Sequence, residues 1–151
     1  GDAMKERFET FTVLITKIGR SIRKIKNQRM AEHALRSPHV SCLYYLYSGD
    51  GLTATDLCER CEEDKATISR SLDYLEENGY VIRGAKFTKR YKAPLVLTEK
   101  GREVGREIAE SIDGVLSEVG SSLTEEERLI FYRSLSIISD DLERLCKKTA
   151  K

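Results

Sequence analysis

Proline is nearly missing from this sequence: Pro38 and Pro94 are the only two in 151 residues. Little therefore interrupts helices of twenty residues or more. No apolar run approaches the roughly 20 residues that a membrane span needs, and no secretory apolar segment is present. No membrane partner is expected, and the expected compartment is cytoplasmic. Also lacking are a glycine-rich phosphate loop, a nucleophile with His and acid partners, and a convincing metal-ligand set. The chain reads as no enzyme, with no cofactor and no metal. Cys58 and Cys61 make a CxxC, but no second pair completes a four-ligand zinc site. A net charge of +1 excludes a bulk polycation.

What is present is organised charge and periodicity. Apolar residues make up 40% and charged residues 34%, the balance of a globular chain tilted towards amphipathic helices. The length fits one domain, 1–151, able to bury a core. Lys17 to Arg29 carries six cations and no acid, and Arg83 to Lys92 carries five, again without an acid. A basic run on a helix is most often a solvated face; the second run lies between two strands, where that explanation is not available.

Residues 5–30 are expected to form a helix with a seam at Phe8, Phe11, Ile15, Ile18, Ile22 and Ile25, spaced 3, 4, 3, 4, 3. Ser37 as N-cap with Pro38 behind it predicts a second helix, striped by Val40, Leu43, Tyr44 and Tyr47. Thr53 with Asp56 is a capping-box pattern that opens a third helix. Asp64 caps a fourth, and Asn78-Gly79 stops it. Tyr80–Gly84 and Ala93–Leu97 read as the strands of a hairpin. Thr98 opens a fifth helix, and Thr124 with Glu127 a sixth, seamed by Phe131, Leu135, Ile138, Leu142 and Leu145.

The fold class is therefore mainly α with a small β-hairpin wing: a winged helix-turn-helix flanked by long N- and C-terminal dimerisation helices. Residues 5–36 and 99–148 form the helical dimerisation part, and 37–98 the winged helix-turn-helix part. Seams of this kind can pack within one chain or between two. Their position on both sides of a DNA-reading centre favours a homodimer on a palindromic site.

At about 100° per residue, Ile68, Leu72 and Leu75 share one arc of helix 65–78. Ala66, Thr67 and Arg70 point away from it, at the end that enters a major groove. Arg70 can make a bidentate contact to guanine, and Thr67 can reach a base edge or thymine methyl. Lys65 and Ser69 flank that arc, placed for phosphates. Thr53 and Thr55 offer hydroxyls and helix-end amides to phosphate. Arg83, Lys86, Lys89, Arg90 and Lys92 suit phosphates or the narrow minor groove. The expected partner is double-stranded DNA. The rivals are a plain amphipathic helix with a solvated face, and a protein-interaction module with weak DNA binding.

Leu52-Thr53, Asp56-Leu57, Lys65-Ala66-Thr67-Ile68-Ser69-Arg70, Leu75, Gly79-Tyr80-Val81, Arg83 and Leu97-Thr98-Glu99-Lys100-Gly101 together resemble the multiple antibiotic resistance regulators, the MarR family, over nearly the whole chain. The resemblance implies a homodimeric, mostly repressing transcription factor whose DNA affinity falls when a small ligand or an oxidant acts. Two departures stand out. Lys89 and Tyr91 occupy the positions of the family's wing Asp-x-Arg. Glu62 and Glu63 replace a glycine and an apolar residue in the turn before the recognition helix, where two acids near phosphates are expected to weaken non-specific binding.

The resemblance also implies a ligand site near the second helix, between the dimerisation helices and the winged unit. Cys42 and Tyr45 are the candidate contacts for a small aromatic ligand. His33 and His39 flank the first junction beside Glu32. Some relatives sense zinc in that region, but surface or capping roles account for these residues. Treated as helical, Cys61 lies about 40° from Leu57 and Cys58 about 100°, so core packing explains both; oxidation of that pair is the alternative.

Overall fold

The computed structural model describes residues 1–83 and 92–149. The expected wing contacts Lys86, Lys89 and Arg90, and the departure at Tyr91, lie outside the described residues. Helix α1 (Asp2–Phe8) runs through a π-helical turn (Glu9–Leu14) into α2 (Ile15–Arg29). The backbone stays right-handed helical at both joins. Met30 ends the run, and a 3-10 turn, Ala31–His33, follows. Ala34 adopts φ 57°, a left-handed conformation that costs a non-glycine residue about 1–2 kcal/mol. The cost is offset locally. The Leu35 amide closes on Met30 O at 3.2 Å, Leu35 is buried, and Tyr74 Oη donates to Ala34 O at 2.9 Å.

Helix α3 (Ser37–Ser48) starts one residue before the expected point, with Arg36 rather than Ser37 as its N-cap. Asn27 is the reason: its Oδ1 accepts the Ser37 amide at 2.7 Å, while the Arg36 amide donates to His39 Nδ1 at 3.0 Å. Helix α4 (Ala54–Arg60) opens on the expected capping box, with Thr53 N to Asp56 Oδ2 at 2.8 Å and Asp56 N to Thr53 Oγ1 at 3.1 Å. Helix α5 (Lys65–Glu77) is capped by Asp64, whose Oδ1 accepts the Thr67 amide at 2.7 Å. The strands β1 (Val81–Arg83) and β2 (Leu95–Leu97) are shorter than expected and pair antiparallel, Val81 opposite Leu97 and Arg83 opposite Leu95. Helices α6 (Glu99–Glu118) and α7 (Glu125–Thr149) complete the order.

The chain divides into two compact units, Gly1–Ser111 and Ile112–Lys151. The division falls inside α6, because its buried residues, Gly101, Val104, Gly105 and Ile108, all lie in the first half. In the first unit Leu43 of α3, Leu57 of α4 and Ile68, Leu72 and Leu75 of α5 are 0–1% exposed. Each such side chain contributes about 1.5–3 kcal/mol relative to exposure. His39 of α3 also stacks on Tyr74 of α5, centroids 4.4 Å apart. In the second unit the Thr124–Glu127 capping box forms at 2.9 and 3.1 Å.

The Leu97–Gly101 motif is a clamp on the end of α5. Gly79, at φ 77°, ends that helix and turns the chain into β1. Thr98 Oγ1 donates to Gly79 O at 2.6 Å and accepts the Gly101 amide at 3.0 Å. The Thr98 amide meets Tyr80 O at 3.0 Å. Lys100 Nζ donates to Asn78 O at 2.8 Å and lies 4.3 Å from the Tyr80 ring centre. A Cβ on residue 101 would stand 2.0 Å from Tyr80 O, so only glycine permits this approach. Gly101→Ala is expected to cost about 3 kcal/mol, an overpacking penalty against backbone, and to lower the thermal midpoint by about 5–10 °C. An unchanged midpoint in a calorimetric scan would contradict the clamp.

Candidate nucleic-acid interface

With Ile68, Ser71, Leu72 and Leu75 buried, the rotation of α5 is fixed and its opposite face is exposed. Lys65, Ala66, Ser69 and Arg70 are exposed there and Thr67 is half-buried, as the helical spacing predicts. These side chains are ordered by one another. Arg70 Nη2 donates to Thr67 Oγ1 at 3.2 Å. The amide and hydroxyl of Thr67 both bond to Asp64, whose carboxyl they hold below the usual range. The guanidinium is thereby oriented before any partner arrives, which lowers the cost of ordering it on binding.

The helix-turn-helix forms a groove of about 540 Å³, lined by Thr55, Lys65, Ser69, Ile68, Leu72 and Arg83 among others. Thr53 is committed to its capping box, and Thr55 is exposed beside it. Lys92 is exposed at the return of the wing. Arg83 is placed differently from its neighbours. Its side chain is 12% exposed and turned back on α5, with Nη2 3.0 Å from Asp73 Oδ1 and Nε 4.0 Å from Glu76 Oε1. A phosphate at this point competes with Asp73. The base of the wing is tied down by β1–β2 pairing and by the Leu95 amide on Leu52 O at 2.8 Å.

The two acids of the turn do not face outward as a pair of loose charges. Glu62 Oε1 takes hydrogen bonds from Lys26 Nζ and Ser41 Oγ, both at 2.7 Å, and Lys26 also donates to Ser41 Oγ at 3.0 Å. Glu63 lies 3.5 Å from Arg23 Nη2. Part of the basic run on α2 is therefore a latch on the turn that introduces α5, and each acid has a cationic partner in it. Burial pushes the Glu62 carboxyl up, but the hydrogen bonds from Lys26 and Ser41 outweigh it and hold the group below its usual range.

Cys42 is fully buried and presents no surface to a ligand. Tyr45 is half-buried, its ring edge-on to Tyr44 at 5.7 Å. Sequence spacing did not suggest Glu107: its Oε2 lies 2.9 Å from His33 Nε2, and Glu32 Oε1 lies 3.6 Å from the same nitrogen. The three ligand atoms lie within 4.8 Å of one another, a donor set a divalent ion can use, although an ion pair joining the turn to α6 accounts for it equally. His39 is elsewhere, stacked on Tyr74.

A capped helix pair, an exposed polar face on the second helix and a strand pair that follows it define a winged helix-turn-helix protein. Residues 35–90, which hold this unit, match the family described as MarR family. The chain is similar to the HTH-type transcriptional repressor Rv2887 of Mycobacterium tuberculosis, 23% identical over 85% of this chain and 92% of that protein. Its fold matches NMB1585, a MarR family regulator from Neisseria meningitidis, with TM-score 0.80, 18% identity and coverage of 95% and 98%. It also matches S. aureus MepR in a DNA complex, with TM-score 0.78, 22% identity and coverage of 87% and 97%. The fold is thus that of the MarR winged helix-turn-helix structures, and the family match itself covers residues 35–90.

The latch has a sign in pH. A carboxyl depressed by folding stabilises the folded state above its unfolded pKa and loses that contribution as pH falls through the folded value. The stability gap between the parent chain and Glu62→Gln is therefore expected to be constant above about pH 5 and to shrink below about pH 4. Denaturant melts across that range measure it; a gap that widened on acidification would contradict the latch.

Proposed function

We propose that the chain is a sequence-specific transcriptional repressor that binds a palindromic operator as a homodimer and releases it when a small ligand binds. The observation that carries this reading is the ordered outward face of α5, Thr67 and Arg70 above all, backed by a buried face that leaves it no other orientation. Arg70 would read guanine and Thr67 a base edge or thymine methyl, with Lys65, Ser69, Thr55 and Lys92 on phosphates. Specific reading by the recognition helix and grip by cations are separable contributions.

The dimer is supported by apolar seams left open in each unit. In the first, Phe8, Phe11, Ile18 and Ile22 are 44–61% exposed; in the second, Phe131, Leu135 and Leu142 are exposed as well. Apolar surface on this scale marks an interface. The release signal would act where α2 meets the turn. A groove of about 600 Å³ there is lined by Thr16, Arg20, Arg23, Lys26, Ser37 and Glu62, among others. An aromatic carboxylate suits those cations and would compete with Glu62 for Lys26. It need only bind the released state better by a few kcal/mol to shift the population.

Fluorescence anisotropy on duplex DNA from the promoter of the neighbouring genes tests the reading. Arg70→Ala is expected to weaken binding by about 10- to 100-fold, the worth of a bidentate base contact. Arg102→Ala, an exposed cation on α6, is expected to leave it within about two-fold. Affinity should fall steeply with salt. Equal effects of the two substitutions, or a monomer by light scattering at the binding concentration, would overturn the proposal.

A further inference from the structure

Arg83 opens a stretch, to Lys92, that contains no acid. A carboxylate partner for it has to come from another element, and α5 supplies two. Arg83 Nη2 donates to Asp73 Oδ1 at 3.0 Å, and Glu76 Oε1 stands 4.0 Å from its Nε. The side chain is 12% exposed, and its Nε is buried with no hydrogen bond among the described residues. A buried cation is stable only when paired. Reaching out to a phosphate would mean abandoning both acids.

Asp73 is the less expected member of the pair. At about 100° per residue it falls about 20° from Ala66 and about 60° from Arg70 around α5. It is therefore on the face that would meet DNA, and its side chain is 58% exposed. An acid there repels phosphates, so its removal ordinarily tightens DNA binding. Its partner is on the strand that carries the wing. Side chains alternate along a strand, so Arg83 shares a face of β1 with Val81, which is buried. Packing holds the start of β1, and the ion pair holds its far end.

We propose that Arg83 is a positioning residue for the wing: held by Asp73, with Glu76 behind it, it fixes β1 against α5 and makes no phosphate contact. Arg83 stands opposite Leu95 of β2, and Lys92, exposed just before that strand, is carried with the pair. The wing cations then meet the DNA backbone at a set distance from the base that Arg70 reads. Asp73 remains on the DNA-facing side because it anchors Arg83, and the anchoring outweighs its repulsion of phosphates. The consequence for DNA rests on the function proposed above; the pairing of the two side chains does not.

The test uses the full-length chain with Arg83→Met, Asp73→Asn, Asp73→Glu, and Arg83→Met combined with Asp73→Asn. Anisotropy compares the promoter duplex with a duplex of random sequence at one salt concentration. Asp73→Asn is expected to weaken promoter binding about five-fold or more, although it removes an acid, and to leave random-duplex binding no weaker. Asp73→Glu, which keeps the carboxylate, should recover most of that loss. The double variant should bind the promoter no more weakly than Arg83→Met alone. Thermal midpoints without DNA follow the same cycle, the double variant melting no lower than the less stable single variant. Promoter binding that Asp73→Asn tightened or left unchanged would overturn the positioning role, as would losses that multiply in the double variant. Midpoint losses that add in the double variant would overturn the ion pair itself. A parent chain with no preference for the promoter would count against the function, and the midpoint cycle would still decide the pair.

Discussion

The constraint on which the rest depends is the complete burial of Ile68, Leu72 and Leu75 along one line of α5. A helix held along one line cannot rotate, because turning it would expose that line to water and lose about 1.5–3 kcal/mol for each side chain. The outward direction of Ala66, Thr67 and Arg70 follows from that burial without any separate device. Chemistry on the exposed side can then vary freely, since none of it supports the core. The bond from Arg70 to Thr67, and from Thr67 to Asp64, refines an orientation that packing has already chosen.

Two further attachments set where this helix sits. Its N-terminal end follows a turn latched to α2 by Lys26 and Arg23. Its C-terminal end is gripped by Thr98 and Lys100 at the start of α6, through Gly79 O and Asn78 O. Both attachments are polar, half-exposed and short in reach, so they are weak springs beside the buried face. That difference matters for regulation. The core fixes what the helix presents, while the polar ends are the places where a modest ligand can alter its position.

Local signals in the sequence were legible wherever one residue determines a neighbour three or four positions away. Thr53 with Asp56, Asp64 before α5, Gly79 after it and Thr124 with Glu127 all act at that range. The face of α5 was equally legible, because burial follows helical periodicity. Contacts between residues far apart in the chain were not. Arg83 was expected on phosphates and folds back on Asp73; Glu62 was expected near phosphates and finds Lys26, 36 positions away. Cys61 was paired with Cys58 by spacing, until the helix ended one residue too early for that. Even the start of α3 moved because of Asn27, ten residues upstream. Periodicity carries no record of such partners.

The claim at the centre of this account is that two copies of the α5 face read DNA together. In vitro selection of random duplexes by the full-length protein tests it most directly. Enrichment of an inverted repeat whose half-sites are centred about one helical turn, or 10–10.5 base pairs, apart is the expected outcome. Selection that enriched no motif, or a single unrepeated half-site, would contradict the two-copy reader.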